Sequence, residues 1–194
     1  MKKKDAILKV ATVLFANKGF ADTSVHELAE LTGAAEGTIF YHYKSKERLL
    51  LAILDKTRES IVGQFDEYLS GRGFESGMEM VEELISFYLY MAGLMEDQFL
   101  LLHRHFLYKF SETNPEFRSN LEEIYNCITR YFERAIATGQ EDGSITTDVE
   151  ARKSALVLFT MVDGLVRFKN YNLYDAGALL KELMRSCRRM LQAH

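Results

Sequence analysis

The stretch TSVHELAELTGAAEGTIFYHYKSK, Thr23 to Lys46, decides the fold. Ser24 followed by Glu27 has the pattern of a capping box, in which a hydroxyl and a carboxylate satisfy reciprocal N–H groups where a helix begins. Val25, Leu28, Ala29 and Leu31 repeat at helical spacing and predict one buried face. Gly33 falls where a sharp exit needs a residue tolerant of positive φ. The next helix, about Ala35 to Tyr43, is poor by propensity, because Gly37, Thr38, Ile39 and three aromatic residues are mediocre helix formers. Packing must therefore hold it. Ile39 is expected to point inward, leaving Thr38, Phe40, Tyr41 and His42 partly exposed. Ser45 is placed to cap a following helix, with Lys46 in its first turn, where ammonium and N–H groups together attract phosphate. Two short helices about a glycine turn form a helix-turn-helix, which lays its second helix in the DNA major groove.

Upstream, Ile7, Leu8, Ala11, Leu14 and Phe15 make an apolar stripe at helical spacing. That helix should end at Lys18-Gly19, with Phe20 folding back on Phe15. Three helices within about fifty residues make a compact reading head. The plain alternative is a three-helix packing unit with an aromatic surface.

The remainder of the 194-residue chain, with 47% hydrophobic residues and one proline, Pro115, reads as ordered helices. A helix should run from Ser45 to about Ser70 and break at Gly71-Arg72-Gly73. Further helices are expected over Glu75 to Met95, Asp97 to Phe110, Pro115 to Gly139, Asp148 to Lys169 and Asp175 to Gln192, with Asn114 capping the third of these. No strand-like alternation of useful length occurs. The fold class is all-α. Residues 1–60 are expected to form the DNA-binding domain, and residues 61–194 a helical effector-binding and dimerisation domain.

Charge supports this division. The net charge is −4, but residues 1–50 carry eight Lys or Arg against six Asp or Glu, and residues 51–194 carry sixteen against twenty-two. A slightly cationic head on an acidic body fits a DNA-facing amino terminus. No apolar run reaches the ~18 residues that span a membrane. The opening MKKKDAILKVATVLFA mimics a signal peptide, but Lys9 interrupts it and the helical stripe accounts for it better. Cys127 and Cys187 supply neither a disulfide framework nor a ligand cluster. Cytoplasmic localisation and no membrane partner are the expectations.

Catalytic and metal chemistry lack a pattern. His103 and His105 at i, i+2 lie about 200° apart on a helix and cannot share one metal unaided. No HExxH, CxxC, GxSxG, P-loop or dinucleotide fingerprint is present. No cofactor and no enzyme activity are expected. The pair Arg188-Arg189 reads as a solvated helix face near Glu182.

Two features of the larger domain suggest partners. Phe87, Tyr88, Met91, Phe99, Leu102, His103, Phe106, Tyr125, Phe132, Phe159 and Met161 supply aromatic and thioether surface suited to an apolar pocket with a few polar handles, although such stripes also build cores. Residues 155–168 are apolar on nearly every side, and Leu179, Leu180, Leu183, Met184, Cys187, Met190 and Leu191 line the last helix. Leu158, Val162, Leu165, Leu179, Leu180, Leu183, Cys187 and Met190 are the expected interface of a homodimer built as a four-helix contact. The other possibility is that both stripes serve the intramolecular core.

Residues 5 to about 56 resemble the amino-terminal domain of the tetracycline-repressor-like (TetR) family. AxxLFANKGF, TSVHELAELTG and EGTIFYHYKSKERLL carry the resemblance, together with the spacings between them. Beyond residue 60 the likeness is general: a helical domain of fitting length, with an acidic-glycine loop before Asp148 and the DGL of Asp163 to Leu165. The resemblance implies that Thr23 and Ser24 hold phosphate, that Ala35, Glu36, Gly37 and Thr38 meet base edges, and that Tyr41, His42 and Lys46 clamp phosphate. Glu36 stands where small, polar or basic residues are usual; its carboxylate would repel phosphate but could accept from cytosine N4. Phe40 replaces the common tyrosine and leaves an apolar face suited to a thymine methyl.

The reading is a sequence-specific regulator that binds a palindromic operator in double-stranded DNA as a homodimer. Its expected action is repression, relieved by a small hydrophobic or aromatic effector. A DNA-binding regulator controlled by a partner protein, and an all-helical carrier or enzyme with an incidental helix-turn-helix, are the alternatives.

Overall fold

The computed structural model describes residues 3–192, in which the chain is helical throughout and carries no strand. The elements are α1 (Lys3–Asn17), α2 (Val25–Thr32), α3 (Glu36–Tyr43), α4 (Lys46–Leu69), α5 (Gly77–Leu94), α6 (Glu96–Leu102), α7 (His105–Thr113), α8 (Pro115–Asp142), α9 (Ala151–Asn170) and α10 (Ala176–Leu191). They pack as two compact units. One comprises the residues up to Ser60 with Glu96–Ile124, the other Ile61–Met95 with the residues from Tyr125 onward.

In the first unit the α1 stripe is buried at Ile7, Ala11 and Phe15. Gly19, at φ 103°, turns the chain so that the Phe20 ring comes within 5.2 Å of Phe15. At α2, Ser24 Oγ accepts from the Glu27 N–H at 3.0 Å. The reciprocal half of the expected capping box does not form, because the Glu27 carboxylate turns to Lys18 at 2.7 Å. Leu28 and Ala29 are buried, whereas Leu31 is 60% exposed against expectation. The inward arc of so short a helix is filled by Leu28 and Ala29, and Leu31 lies about 200° round from Ala29. Gly33 takes the left-handed conformation, φ 62°, and directs its N–H back to the α2 carbonyls.

The helix expected over Asp97 to Phe110 is broken at His103-Arg104 into α6 and α7. Arg104 is extended, φ −72° and ψ 129°, and its guanidinium donates to the carbonyls of Ala16 and Asn17 at the end of α1. The turned backbone puts a cation on α1's unpaired C-terminal carbonyls, where the helix dipole also favours it. At the same end of α1, Asn17 Nδ2 donates to Asp97 Oδ1, in the first turn of α6, at 2.9 Å. Below them Phe20 meets Phe106 (5.8 Å) and Phe110 (5.1 Å), and Phe110 meets Phe117 (5.0 Å).

In the second unit, the start of α5 is pinned to the loop after α8. Ser76 Oγ accepts from Glu79 N–H, Asp142 from Gly77 N–H at 2.6 Å, and Ser144 Oγ from Met78 N–H at 3.1 Å. Gln140 donates to the carbonyls of Thr146 and Val149, which holds that loop and delays α9 to Ala151, three residues beyond the expected Asp148. Arg188 and Arg189 are exposed as expected, but Arg188 forks onto Glu82 at 2.7 and 2.8 Å, and Glu182 pairs with Arg185 instead. Tyr68 stacks on Phe87 (3.9 Å) and Phe65 on Tyr131 (4.4 Å), whose hydroxyl donates to Asp66. Both cysteines are buried free thiols; burial pushes the Cys187 thiol up to about 11 and keeps it unreactive at neutral pH.

The helices α5 and α8 meet through glycine. A Cβ on Gly77 would lie 2.0 Å from Gly139 N and 2.6 Å from the Ala135 carbonyl oxygen. Gly77→Ala should therefore destabilise the protein by about 2–3 kcal/mol through forced separation of two backbones. Gly63→Ala, within α4 and with open space around the position, should stabilise by about 0.5–1 kcal/mol. Denaturant midpoints of the two variants check both signs.

Candidate functional site

Helix α3 buries only Ile39 and Tyr43. The Tyr43 hydroxyl donates to the Lys4 carbonyl oxygen at 3.0 Å, and burial, then the charge of Asp5, pushes its pKa up to about 12, so the phenol stays a donor at neutral pH. With that pair inward, the opposite surface is committed to solvent: Phe40 is 44% and Tyr41 74% exposed, His42 is exposed and Thr38 half-buried. Ala35 precedes α3 with no side-chain cap, which leaves the first N–H groups of the helix available to phosphate. At Gly37 nothing lies within 4 Å of where a Cβ would stand, so a DNA backbone or base edge has clear access.

The phosphate-holding residues implied by the family resemblance divide on inspection. Thr23 is buried, with its hydroxyl donated to the Gly19 carbonyl at 2.8 Å, so the burial of this residue does not fit the expectation that it holds phosphate. Ser24 is exposed, and its oxygen accepts from Glu27 N–H, which leaves its O–H to donate outward. Lys46 is turned inward more than expected. Its ammonium donates to the carbonyls of Phe20 (2.8 Å) and Thr23 (2.9 Å) and lies 4.4 Å from the centre of the Phe20 ring. Two of its three N–H bonds thus tie the start of α4 to the turn before α2.

Sequence reasoning missed Lys44. It ends α3 at φ 64°, an uncommon conformation for a non-glycine residue, and carries its ammonium to 5.4 Å from the Tyr41 ring centre. Tyr41 and His42 lie edge to face at 5.4 Å. An exposed cation, phenol and imidazole thus stand together at the end of the helix. The available signal was simply a lysine directly after the aromatic run. At the other end of α3, Glu36 Oε1 meets His26 Nδ1 of α2 at 2.8 Å.

The eleven residues expected to line a pocket are divided between the two units. Phe99, Leu102, His103 and Phe106 belong to the first unit, where the first three are buried and Phe106 joins the Phe20 cluster. In the second unit Phe87 is occupied by its stack on Tyr68, Met91 is fully buried, and Met161 is half-buried. Tyr88, Tyr125 and Phe159 do come together: Phe159 stands 5.9 Å from Tyr88, edge to face, and 5.7 Å from Tyr125. The Tyr88 hydroxyl donates to Asp163 Oδ1 at 2.7 Å. A separate cleft of about 400 Å³ is lined by Glu75, Ser76, Met78, Glu79, Glu82, Ser144, Arg188 and Gln192, none of them among the eleven. Within it Arg188 is paired with Glu82, and Ser76 and Ser144 hold the α5 amino terminus, and it lacks the apolar lining of a small-molecule site.

The interface residues also divide. Leu158, Val162 and Cys187 are at most 1% exposed within their own chain, and Leu165 and Leu183 at most 8%. They build the core, which corrects their assignment to a partner-facing surface. Leu179 is 39% exposed, and Leu180 and Met190 are half-buried. The outward side of α9 is apolar at residues outside the expected interface set: Leu156 and Val157 are exposed, and Met161, Gly164 and Phe168 are half-buried.

A short helix set behind a glycine turn, with an exposed aromatic and cationic face, defines a helix-turn-helix DNA-binding protein. Residues 7–53 match the model of the bacterial regulatory proteins of the tetR family. The repressor AcnR of Corynebacterium efficiens is 29% identical over 169 residues, 86% of this chain and 81% of that protein. Among solved structures, a transcriptional regulator from Saccharomonospora viridis in complex with choline superposes with a TM-score of 0.86 at 22% identity, covering 98% of each chain. FadR of Bacillus subtilis in complex with stearoyl-CoA superposes at 0.76 and 20% identity, covering 94% of this chain and 96% of that one. Residues 7–53 thus carry the amino-terminal domain of the tetR family, and the chain is similar over most of its length to transcriptional regulators. It is a DNA-binding regulator and not an enzyme. No helix among the described residues is long and apolar enough to cross a membrane.

The bonds of Lys46 give a prediction that separates architecture from DNA contact. Lys46→Ala should destabilise the protein by about 1–3 kcal/mol, since two carbonyls lose a charged donor. A purely phosphate-binding lysine would leave the denaturation midpoint unchanged while weakening DNA binding.

Proposed function

We propose that this regulator is a repressor that binds a palindromic operator as a homodimer and is released by a small effector. In this reading residues 1–60 contact DNA, and residues 61–194 bind the effector and dimerise. The observation that carries the DNA half is the outward surface of α3, where Thr38, Phe40, Tyr41 and His42 are available because Ile39 and Tyr43 alone are buried. Ala35, Glu36, Gly37 and Thr38 would meet base edges, and Ser24, Tyr41, His42 and Lys44 the phosphates, with the third N–H of Lys46 as a minor contributor.

Selection from random DNA should enrich a palindrome whose half-site centres lie roughly 34–36 Å apart, or slightly more. Affinity should fall steeply with salt as bound cations and N–H groups displace counterions. Tyr41→Ala should weaken all sequences alike, while Thr38→Ala should blur base preference. Enrichment of no palindrome would reject this reading.

The outward stripe Val157, Met161, Gly164 and Phe168 of α9, joined by Leu179 and Leu180 of α10, is the surface that two copies would share. Its spacing of four, three and four residues matches a helix-to-helix seam. A Val157→Glu, Met161→Glu double variant should sediment as a folded monomer and lose operator affinity, because the two half-sites are no longer linked. A variant that stays dimeric would remove these residues from the interface.

The cluster of Tyr88, Tyr125, Phe159 and Asp163 supports an effector with an apolar or aromatic body and a polar handle. Structures of the same fold hold ligands as unlike as choline and stearoyl-CoA. Binding relieves repression only if the effector prefers the DNA-incompetent state, so operator DNA must weaken effector binding by the same factor. Tyr88→Phe should reduce effector sensitivity and leave operator affinity unchanged without effector. Binders that never alter operator affinity would favour control by a partner protein.

A further inference from the structure

A carboxylate at the tip of a DNA-reading helix faces a cost that nothing else on α3 relieves. Glu36 is the first residue of α3, half of its side chain is exposed (47%), and the duplex it would approach is lined by phosphates. Its Oε1 is held at 2.8 Å by Nδ1 of His26, ten residues earlier on α2. The other ring nitrogen, Nε2, lies 3.4 Å from Glu30 Oε1, one turn further along α2. One imidazole thus bridges both helices of the motif through a carboxylate on each nitrogen. Oε2 of Glu36 has no partner among the described residues.

We infer that His26 is a specificity-determining positioning residue, which fixes Glu36 so that its remaining oxygen accepts from the N4 amine of a cytosine in the major groove. The inference rests on the proposal that α3 reads base edges. Three physical consequences follow from the geometry. A glutamate on the first turn has three free torsions, and a bond to a residue on another helix removes most of that freedom before DNA arrives. The imidazolium form offsets the negative charge that would otherwise repel the flanking phosphates. Only one carboxylate oxygen is used by His26, so a single acceptor is presented, which suits the single donor of cytosine.

The site is also pH-dependent. The bond to Glu36, then the charge of Glu30, raises the His26 pKa above its ordinary value. Those two carboxylates are the charged groups that face the ring from α2 and α3; the neighbouring Glu27 is engaged by Lys18. The imidazolium is present at low pH and is lost as pH rises through the raised pKa. Preference for cytosine should therefore decline with rising pH.

The experiment is selection from random DNA with the full-length chain, at pH 6 and at pH 8.5, for wild type and four variants. Wild type should require C·G at one position in each half-site at pH 6, and prefer it less at pH 8.5. Glu36→Ala should lose that preference, roughly tenfold, with the rest of the site unchanged. Glu36→Gln should move the preference to A·T, since an amide pairs with adenine N6 and N7. His26→Ala should reduce the cytosine preference several-fold, whereas His26→Gln, whose amide can still donate to Glu36, should keep part of it and show no pH dependence. All four should keep the wild-type melting temperature, because both side chains are exposed. If wild type enriches a palindrome but His26→Ala leaves every base preference intact, or lowers all of them equally, the inference is overturned. If wild type enriches nothing, the reading of α3 as a base-contacting helix fails instead.

Discussion

The reading helix exists because two of its eight residues are buried. Gly37 costs about 1 kcal/mol against alanine in a helix interior, and Thr38, Ile39 and the aromatic residues each cost a few tenths. Burial of Ile39 and Tyr43, at about 1.5–3 kcal/mol for such side chains, offsets that deficit. Their i, i+4 spacing fixes which way the helix faces. Every other side chain of α3 is thereby released from structural duty, and its chemistry can be spent on DNA. A helix with a stronger intrinsic propensity would not need this anchoring, but it could not offer glycine, threonine and three aromatic rings to a groove.

Cations in the first unit are divided between holding the backbone and facing solvent. Lys46 serves the carbonyls of Phe20 and Thr23, and Arg104 those of Ala16 and Asn17. Both place charge on oxygens that a turn or a helix end leaves unpaired. Lys44, one residue past α3, has no such carbonyl partner among the described residues and stands over the exposed ring of Tyr41. Charge counting along the chain treats these residues alike. Their environments make two of them architectural and one a candidate for phosphate.

The second unit distributes its aromatic residues in the same way. Phe65, Tyr68, Phe87 and Tyr131 stack in pairs and seal its core, while Tyr88, Tyr125 and Phe159 gather beside Asp163. Buried hydroxyls need partners, and each tyrosine of the first set finds one at a helix surface: Tyr68 on Glu83, Tyr131 on Asp66. Tyr88 bonds instead to a carboxylate on α9, which gives the second cluster its polar character.

What the sequence determined by itself is local. The helix-turn-helix was legible because capping serine, αL glycine and helical periodicity act over three or four residues: Ser24, Gly33, Ser45, Asn114 and Asp175 all cap or turn as their types require. The exposure of Phe40, Tyr41 and His42 followed from the same periodicity once Ile39 was placed inward. What only the tertiary structure decided is where a side chain's second choice goes. Glu27 left its capping box for Lys18, Lys46 turned to two carbonyls, and Arg104 broke a helix to reach α1, each because a partner distant in sequence offered a better-placed charge or acceptor. The same holds for α9, apolar on most of its circumference. Periodicity could not tell which side was core, and only packing assigned Leu158 and Val162 inward and left Val157 and Met161 outside, since burial is a property of neighbours and not of the residue itself.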